Sequence, residues 1–240
     1  MYEYFKTKGK FAHHMMKATS SIHINLDYTD ENDYNKKYKV ASFLSPLIYT
    51  IFDNSPFCEG KSVPEKNIRF EIWKHCDKSR CGLIKSVFEK KFGYDDYAGY
   101  LLDTHPILLQ KQGEILYTKN KLLKDVFEPE KFTQEDIYYF LTMFFPDIRT
   151  KSYLEIRMAD ALPYPENLGY LAFWKGLLYN KDNLNQLYKK VIQYEKKEII
   201  KFHRKIKSQG FNASIEGKNL QDYMIKLFHL AKKGLLNSEI

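Results

Sequence analysis

Cysteine, arginine and long apolar runs are all scarce in this chain of 240 residues. The three cysteines form no Cys-x-x-Cys pair, so we expect neither a disulfide scaffold nor a zinc site, and a reduced, cytoplasmic setting is favoured. The longest apolar run, Phe43 to Phe52, contains serine and proline and is too short to cross a bilayer. Glycine-rich phosphate loops, nucleophile elbows and His-Glu-x-x-His motifs are also missing from the sequence. We therefore expect a globular protein without a membrane partner.

Lysine supplies most of the positive charge. Lys and Arg number 38 against 30 acidic residues, a formal net charge of +8, but only five of the 38 are Arg. Such a lysine bias makes net charge a poor guide to partners, so nucleic-acid binding is not the favoured function. Where Lys is the default cation, a retained Arg indicates a need for the planar guanidinium that binds carboxylate or phosphate in a bidentate manner. The Arg residues occupy positions 69, 80, 149, 157 and 204.

Hydrophobic periodicity predicts an α+β fold. The order of the elements favours an antiparallel or mixed sheet. Pro46 is expected to kink or break the first helix, and segment 69–82 shows no clean period. Strands are predicted over 19–28 and 152–158, a hairpin around Gln112-Gly113, and helices from Thr29 or Asp30 to Ile51 and over 94–103, 134–144, 167–179, 184–207 and 220–233.

Both predicted strands carry polar side chains on one face. His23 and Asn25 lie on the first strand, and Glu155 and Arg157 lie on the second. A carboxylate beside an imidazole and a guanidinium would suit a metal–phosphate site, because the carboxylate binds a hard cation and Arg offsets phosphoryl charge. The alternative is two ordinary amphipathic strands with a surface ion pair.

Two further arginines bracket the unassigned segment. Arg69 and Arg80 have Trp73 and Asp77 between them. The two guanidinium groups could clamp the carboxylates of an amino-acid substrate. An ordinary structural Arg–Asp bridge explains the pattern equally well.

Several blocks of sequence share one resemblance that covers the chain from about Lys10 to Leu236. They include RFEIWKHCDKSRCG, FGYDDYAGYLLDT, FFPDIRTKSYLEIRMAD and LAFWKGLLYN, together with the long run that begins MMKATSSIHINLDY. These blocks resemble the plant and bacterial type of glutamate–cysteine ligase, and four of the five Arg residues fall at matched positions. The resemblance implies a glutamine-synthetase-like ligase fold, with a curved antiparallel or mixed sheet and helices packed on one face.

The resemblance also implies a reaction and a set of residue roles. ATP would phosphorylate the γ-carboxylate of glutamate, and the amino group of cysteine would then displace phosphate, as the first step of glutathione synthesis. Mg²⁺ would be the cofactor, with Mn²⁺ also possible because one predicted ligand is a histidine. The implied roles are metal binding by Glu155 and His23, contact with the transferring phosphate by Arg157, and substrate binding by Arg69, Trp73, Asn25 and Arg80.

This chain departs from that family in sequence and in length. Plant-type members usually carry Gln at the position of His23, and Ile107 and Tyr164 replace aromatic residues of the amino-acid pocket. Family members are much longer, and their N-terminal half supplies paired glutamates that bind metal. We therefore expect a single ligase-domain portion, sheet-rich over 1–160 and helical over 161–240, that does not turn over alone.

Other functions stay open at this point. One is a non-catalytic partner or binding module that needs a separate N-terminal half, and another is a ligase for a different amine. A basic nucleic-acid binder would instead lose affinity steeply with salt. Surface left uncovered by a missing half also predicts self-association.

Overall fold

Helices and short strands alternate along the chain in the computed structural model, which describes residues 1–63, 67–89, 92–111, 114–118, 120–215 and 217–236. The helices are α1 (Tyr2–Phe5), α2 (Ala12–Ala18), α3 (Glu31–Ile51), α4 (Ile68–Lys74), α5 (Tyr94–Leu102), α6 (Gln134–Leu141), α7 (Glu166–Leu178), α8 (Lys181–Val191), α9 (Lys196–Gln209) and α10 (Leu220–Leu236). The strands are β1 (Ile24–Leu26), β2 (Phe57–Cys58), β3 (Lys61–Ser62), β4 (Cys81–Gly82), β5 (Leu109–Lys111), β6 (Glu114–Leu116), β7 (Phe145–Pro146), β8 (Ile148–Thr150), β9 (Leu154–Ile156), β10 (Ser214–Ile215) and β11 (Lys218–Asn219). The predicted α+β class is confirmed.

A three-stranded antiparallel sheet in the order β1-β9-β8 organises the structure. Its register places Asn25 opposite Glu155 and Arg149 on the other side of Glu155. The residues that alternate with these are buried, such as Ile24 and Leu154. Since successive side chains of a strand point to opposite faces, one face of the sheet is apolar and the other carries the polar side chains.

The apolar face of the sheet packs against α3. Tyr38 donates a hydrogen bond to the carbonyl of Ile148 at 2.6 Å, and the hydroxyl groups of Tyr34 and Thr150 lie 2.9 Å apart. The helix begins after Asp30, whose side chain accepts from the Asp33 amide at 2.8 Å. These contacts fix α3 across the back of β8.

Three local predictions need correction. Pro46 does not break α3, which continues from Glu31 to Ile51, because nearly every residue around it is buried and this packing outweighs the hydrogen bond that a proline removes. The helix predicted over 184–207 is two helices, since α8 ends at Val191 and a capping box at Glu195 starts α9. The unassigned segment 69–82 contains α4 and β4.

The remaining strands form small pairs. β4 and β7 pair in parallel, and the predicted hairpin is confirmed as β5 paired with β6. Its turn, Gln112-Gly113, lies outside the described residues. Over the residues described, none of the helices combines the length and apolar character needed to cross a membrane.

Close backbone contact joins α7 to α10. A Cβ on Gly176 would lie 2.1 Å from the carbonyl oxygen of Ala231, and a Cβ on Gly234 would lie 2.1 Å from the carbonyl oxygen of Gly176. Only glycine allows this approach, so the two helices meet at their backbones. Asn183 of α8 completes the junction by donating to the carbonyls of Gly176 and Leu230, both at 2.8 Å.

Candidate functional site

The polar face of the sheet centres on the carboxylate of Glu155. Its side chain is 5% exposed and accepts hydrogen bonds from Arg149 Nη2 at 2.7 and 3.0 Å and from Arg157 Nη1. Lys151 Nζ lies 3.2 Å from Oε2. Burial raises the pKa of Glu155, but the charges and hydrogen bonds of Arg149 and Arg157 outweigh it and hold the pKa at about 2. Glu155 is therefore ionised at neutral pH inside a cationic shell.

His23 joins this cluster from the segment just before β1. Its Nδ1 lies 3.3 Å from Glu155 Oε1, and its Nε2 lies 2.9 Å from Ser21 Oγ. Burial and then the charge of Arg157 lower the pKa of His23 to about 4, even though Glu155 acts in the opposite direction. A neutral imidazole at pH 7 can exchange hydrogen bonds or bind a metal, but it adds no positive charge.

Arg69 and Trp73 come to the same cluster from α4. The guanidinium of Arg69 donates to the main-chain carbonyls of Ser20 at 3.2 Å and Arg157 at 3.0 Å. The Trp73 ring has the Arg69 guanidinium 5.4 Å and the Arg157 guanidinium 5.7 Å from its centroid. Arg69 thus ties α4 to the start of β1 and the end of β9, while Trp73 supports the guanidinium of Arg157.

Arg80 makes its hydrogen bonds elsewhere in the structure. It is fully buried, its Nε donates to Asp77 Oδ2 at 2.7 Å, and its terminal nitrogens donate to Tyr4 and to the carbonyls of Met143 and His105. Every one of these partners is a group of the protein. The contacts favour the structural Arg–Asp bridge over a clamp on substrate, so substrate binding by Arg80 stays a prediction without a contact to support it.

The predicted metal ligands do not form a complete metal site in the part of the chain that is described. No group of three or more His, Cys, Asp or Glu side chains comes together there. Both oxygens of Glu155 already face cations of this chain. Mg²⁺ is bound through carboxylates and substrate phosphates, and Glu155 offers one carboxylate that is shared among three cations. Metal binding by Glu155 and His23 therefore stays a prediction.

The other residues singled out in the sequence lie in different environments. Asn25 is exposed on the polar face and pairs in register with Glu155. Ile107 is buried in the core, and Tyr164 is 79% exposed. Lys151 was not among the predicted residues because β8 and the turn after it are too short to show a period, although Arg149 stood out through the scarcity of arginine.

Comparison with known proteins identifies a family whose sequence model matches this chain. Residues 1–235 match the family model described as glutamate-cysteine ligase family 2. Over 98% of its length the chain is 29% identical to three chloroplastic enzymes: glutamate–cysteine ligase B of Oryza sativa subsp. japonica, of which it covers 49%, and the glutamate–cysteine ligases of Brassica juncea (47%) and Arabidopsis thaliana (46%). The chain thus spans about half the length of these relatives.

These comparisons correct one prediction and confirm another. The cytoplasmic location predicted from the sequence is wrong, because the relatives' own names describe chloroplastic proteins. The family resemblance is confirmed, because the family model matches almost the whole chain. This chain belongs to glutamate-cysteine ligase family 2.

Proposed function

We propose that this chain supplies part of the active site of an ATP-dependent glutamate–cysteine ligase. Such an enzyme joins the γ-carboxylate of glutamate to the amino group of cysteine through a γ-glutamyl phosphate. The observation that carries the proposal is the cluster around Glu155, in which Arg149, Arg157 and His23 meet on the polar face of the sheet. Family membership supports the same reaction.

The cluster is suited to an anion. Arg149, Arg157 and Lys151 carry three positive charges against the single charge of Glu155. Arg157 uses one of its five N–H groups on Glu155, which leaves donors for a phosphoryl or carboxylate oxygen. Preorganised donors of this kind stabilise the charge that develops during phosphoryl transfer. We assign Arg157 to the transferring phosphate, and Arg149 to holding Glu155.

Mg²⁺, with Mn²⁺ as the alternative, would neutralise the phosphate charges when bound. Because Glu155 is the single carboxylate in the described cluster, we propose that the remaining oxygen ligands come from a region equivalent to the other half of the relatives. This region is the partner that the proposal requires, whether it is part of the same polypeptide or a separate one. His23 would complete the metal site from this chain.

We place the fold in the same framework. The β1-β9-β8 sheet would form part of the larger curved sheet of a glutamine-synthetase-like ligase, with α3 on its back face. Residues 1–240 would form one portion of that ligase, sheet-rich over 1–160 and helical over 161–240. All the strands of the central sheet lie before residue 161 and α7 to α10 follow it, which supports a boundary there, although helices α1 to α6 also belong to the first part.

Isothermal titration of the 240-residue chain with ATP, Mg²⁺ and glutamate, singly and together, tests the site. We expect binding of glutamate or nucleotide that is lost in R157Q and kept in K201Q, a substitution on the exposed side of α9. Binding that survives R157Q, or no binding of either substrate, would remove the assignment of Arg157.

Turnover is tested separately. We expect no ADP release from the chain alone, and glutamate- and cysteine-dependent ADP release after addition of a polypeptide equivalent to the N-terminal half of a plant relative. Glutamate- and cysteine-dependent ADP release by the purified chain would instead show that its own residues complete the site.

A binding module without turnover is the second candidate. It is favoured by one observation: both oxygens of Glu155 are occupied by cations of the same chain, as in a structural ion network. This function predicts that the added N-terminal half binds the chain but restores no ADP release. A ligase for another amine predicts restored ADP release that depends on glutamate and on an amine other than cysteine.

A further inference from the structure

A cleft between α4 and α9 is lined by positively charged side chains. Two adjoining cavities of about 730 and 400 Å³ make up this cleft, within the size range of small-molecule sites. Four residues line both cavities: Phe70, Lys74, Arg204 and Lys207. Neither His23 nor Glu155 lines either cavity, but Trp73, which packs on the Arg157 guanidinium, lines the smaller one, so the cleft adjoins the Glu155 cluster without including its carboxylate.

Lys207 is the most buried of the cationic side chains that line the cleft. It is half-buried, and its Nζ lies 4.2 Å from the centroid of the Phe70 ring. Burial lowers the pKa of its ammonium, and the charge of Lys74 adds to this effect, whereas Asp147 and Glu71 oppose it. A desolvated ammonium beside a second cation is an unfavourable arrangement that an anion would relieve.

The acidic groups nearby are engaged with other partners. Glu71 pairs with Lys74 at 3.1 Å, and Asp147 accepts hydrogen bonds from Ser45 at 3.0 Å and Tyr49 at 2.8 Å. Over the described ranges, neither Lys207 nor Arg204 has an ion pair with a carboxylate. The cleft therefore carries positive charge that the protein does not neutralise by direct contact.

A buried donor in the wall of the cleft is also unsatisfied. Trp73 lines the 400 Å³ cavity and is 8% exposed, and its indole N–H has no acceptor in the described structure. Buried N–H groups without a partner are rare, but this nitrogen is inaccessible to solvent and therefore does not open into the cavity. Trp73 thus contributes an aromatic wall to the cleft, beside its cations.

We propose that the α4–α9 cleft binds a small, multiply charged anion, with Lys207 and Arg204 as its principal ligands. The guanidinium would take the anion in a bidentate manner, and the half-buried ammonium would contribute a point charge. The ligand chemistry is that of a phosphate ester or a polycarboxylate. Arg204 is also the one arginine that lies outside the blocks of the ligase resemblance, so the ligase reaction does not account for it.

Calorimetric titration of the 240-residue chain at low ionic strength tests this site. The probes are pyrophosphate, ADP and citrate. Tighter binding of pyrophosphate than of citrate would identify the ligand as a phosphate compound, and tighter binding of citrate would identify it as a polycarboxylate. We expect affinity to fall about tenfold or more in K207Q and in R204Q, because each removes a charged hydrogen-bond partner. E71Q should bind more tightly, since it removes a negative charge from the wall.

The charge-matched control is K201Q, on the same helix but outside the cleft. Arg204 is exposed, so R204Q keeps the fold intact. R204Q therefore tests the site even where K207Q alters the stability of the fold. In the absence of ligand, K207Q should melt no lower than the parent chain, because it removes a desolvated charge. The proposal fails if none of the three anions binds. It also fails if K207Q and R204Q bind the anions as tightly as the parent chain, which is the result expected for anions held at Arg157. Equal loss of affinity in K201Q would contradict it as well.

Discussion

Nη2 of Arg149 donates to both carboxylate oxygens of Glu155, at 2.7 and 3.0 Å, across the pairing of β8 with β9. The two residues lie directly opposite each other in the antiparallel register. A charged pair in adjacent strands is held by the backbone as well as by its own attraction, so its geometry is set before any substrate arrives. Arg157, which directly follows β9, donates to the same carboxylate.

Replacing Glu155 with Gln should destabilise the fold strongly. The substitution leaves Arg149, Arg157 and Lys151 without a counter-charge in a buried site, which costs about 3–5 kcal/mol for a broken buried pair. Urea unfolding followed by circular dichroism measures the free energy of unfolding. The surface pair of Glu89 with Lys196 provides the control, and E89Q should cost less than about 1 kcal/mol. Equal effects of the two substitutions would mean that Glu155 is not held as its contacts indicate.

Divalent metal should bind this chain only weakly at Glu155. Its carboxylate is shared among three cations, and the described residues bring no second carboxylate to it. We expect Mn²⁺ titration followed by electron paramagnetic resonance to give no site tighter than about 1 mM, since such metals need several oxygen ligands. A submillimolar site that disappears in E155Q and H23Q would contradict this and support metal binding by the chain alone.

Arg80 and Asp77 form a buried pair whose two members should be strongly coupled. R80M should cost about 3–5 kcal/mol because it leaves the Asp77 carboxylate buried beside Tyr4 without its cation. The double variant R80M/D77N should be less unstable than the sum of the single variants, because the unpaired charge is then gone. The exposed pair of Lys124 with Asp103 should show no coupling above about 0.5 kcal/mol in the same cycle. Additive effects at Arg80 and Asp77 would show that the bridge contributes little.

Two glycines of α7 should respond in opposite directions to alanine. G176A places a Cβ 2.1 Å from the carbonyl oxygen of Ala231, so α7 and α10 must move apart, at a cost of about 1–3 kcal/mol. Gly169 is exposed and a Cβ there meets no atom of the described residues within 4 Å, so G169A should stabilise the helix by about 0.5–1 kcal/mol. Thermal unfolding of the two variants gives the comparison. Stabilisation by G176A would exclude the close helix contact.

The alternation of residues predicted the polar face of the sheet correctly. Both strands were expected from period two, but over 19–28 and 152–158, whereas the structure has only Ile24–Leu26 and Leu154–Ile156 as strands. It puts Asn25 opposite Glu155, with His23 beside them just before β1. Which strand lies next to which was not predictable from spacing, because register depends on contacts between distant segments. β8 was missed for a simpler reason: a strand of three residues is too short to show a period.

Segments whose structure depends on burial were predicted less well. Helix α4 has only seven residues, and it is stabilised by the packing of Arg69 and Trp73 rather than by helix propensity. Pro46 shows the same principle, since local propensity argued for a break and burial of α3 prevailed. The roles of Arg69 and Arg80 could not be separated by sequence, because both are buried arginines and only their partners differ.

His203 in α9 is 4% exposed and packs edge-on against the ring of Phe88. Burial and then the charge of Lys207 lower the pKa of its imidazole to about 3, against an ordinary value of 6.5. The folded state therefore holds His203 neutral, whereas the unfolded chain takes up a proton below pH 6.5. A depressed folded pKa gives stability that is complete above pH 6.5 and is lost as pH falls towards 3.

Between pH 6.5 and 5 this single group should cost the parent chain about 1–2 kcal/mol, at up to 1.36 kcal/mol for each pH unit. Glu155 and Asp77 contribute little there, because their folded pKa values of about 2 and unfolded values near 4 lie below this window. Burial raises the pKa of Asp53, which acts in the opposite direction to His203. H203L should flatten the dependence of unfolding free energy on pH in this window, and H229Q, an exposed substitution in α10, should leave it unchanged. His23, whose pKa is also lowered, accounts for a residual slope that H203L/H23Q would remove. An identical slope in H203L and the parent chain would mean that His203 is protonated in the folded protein or reaches water.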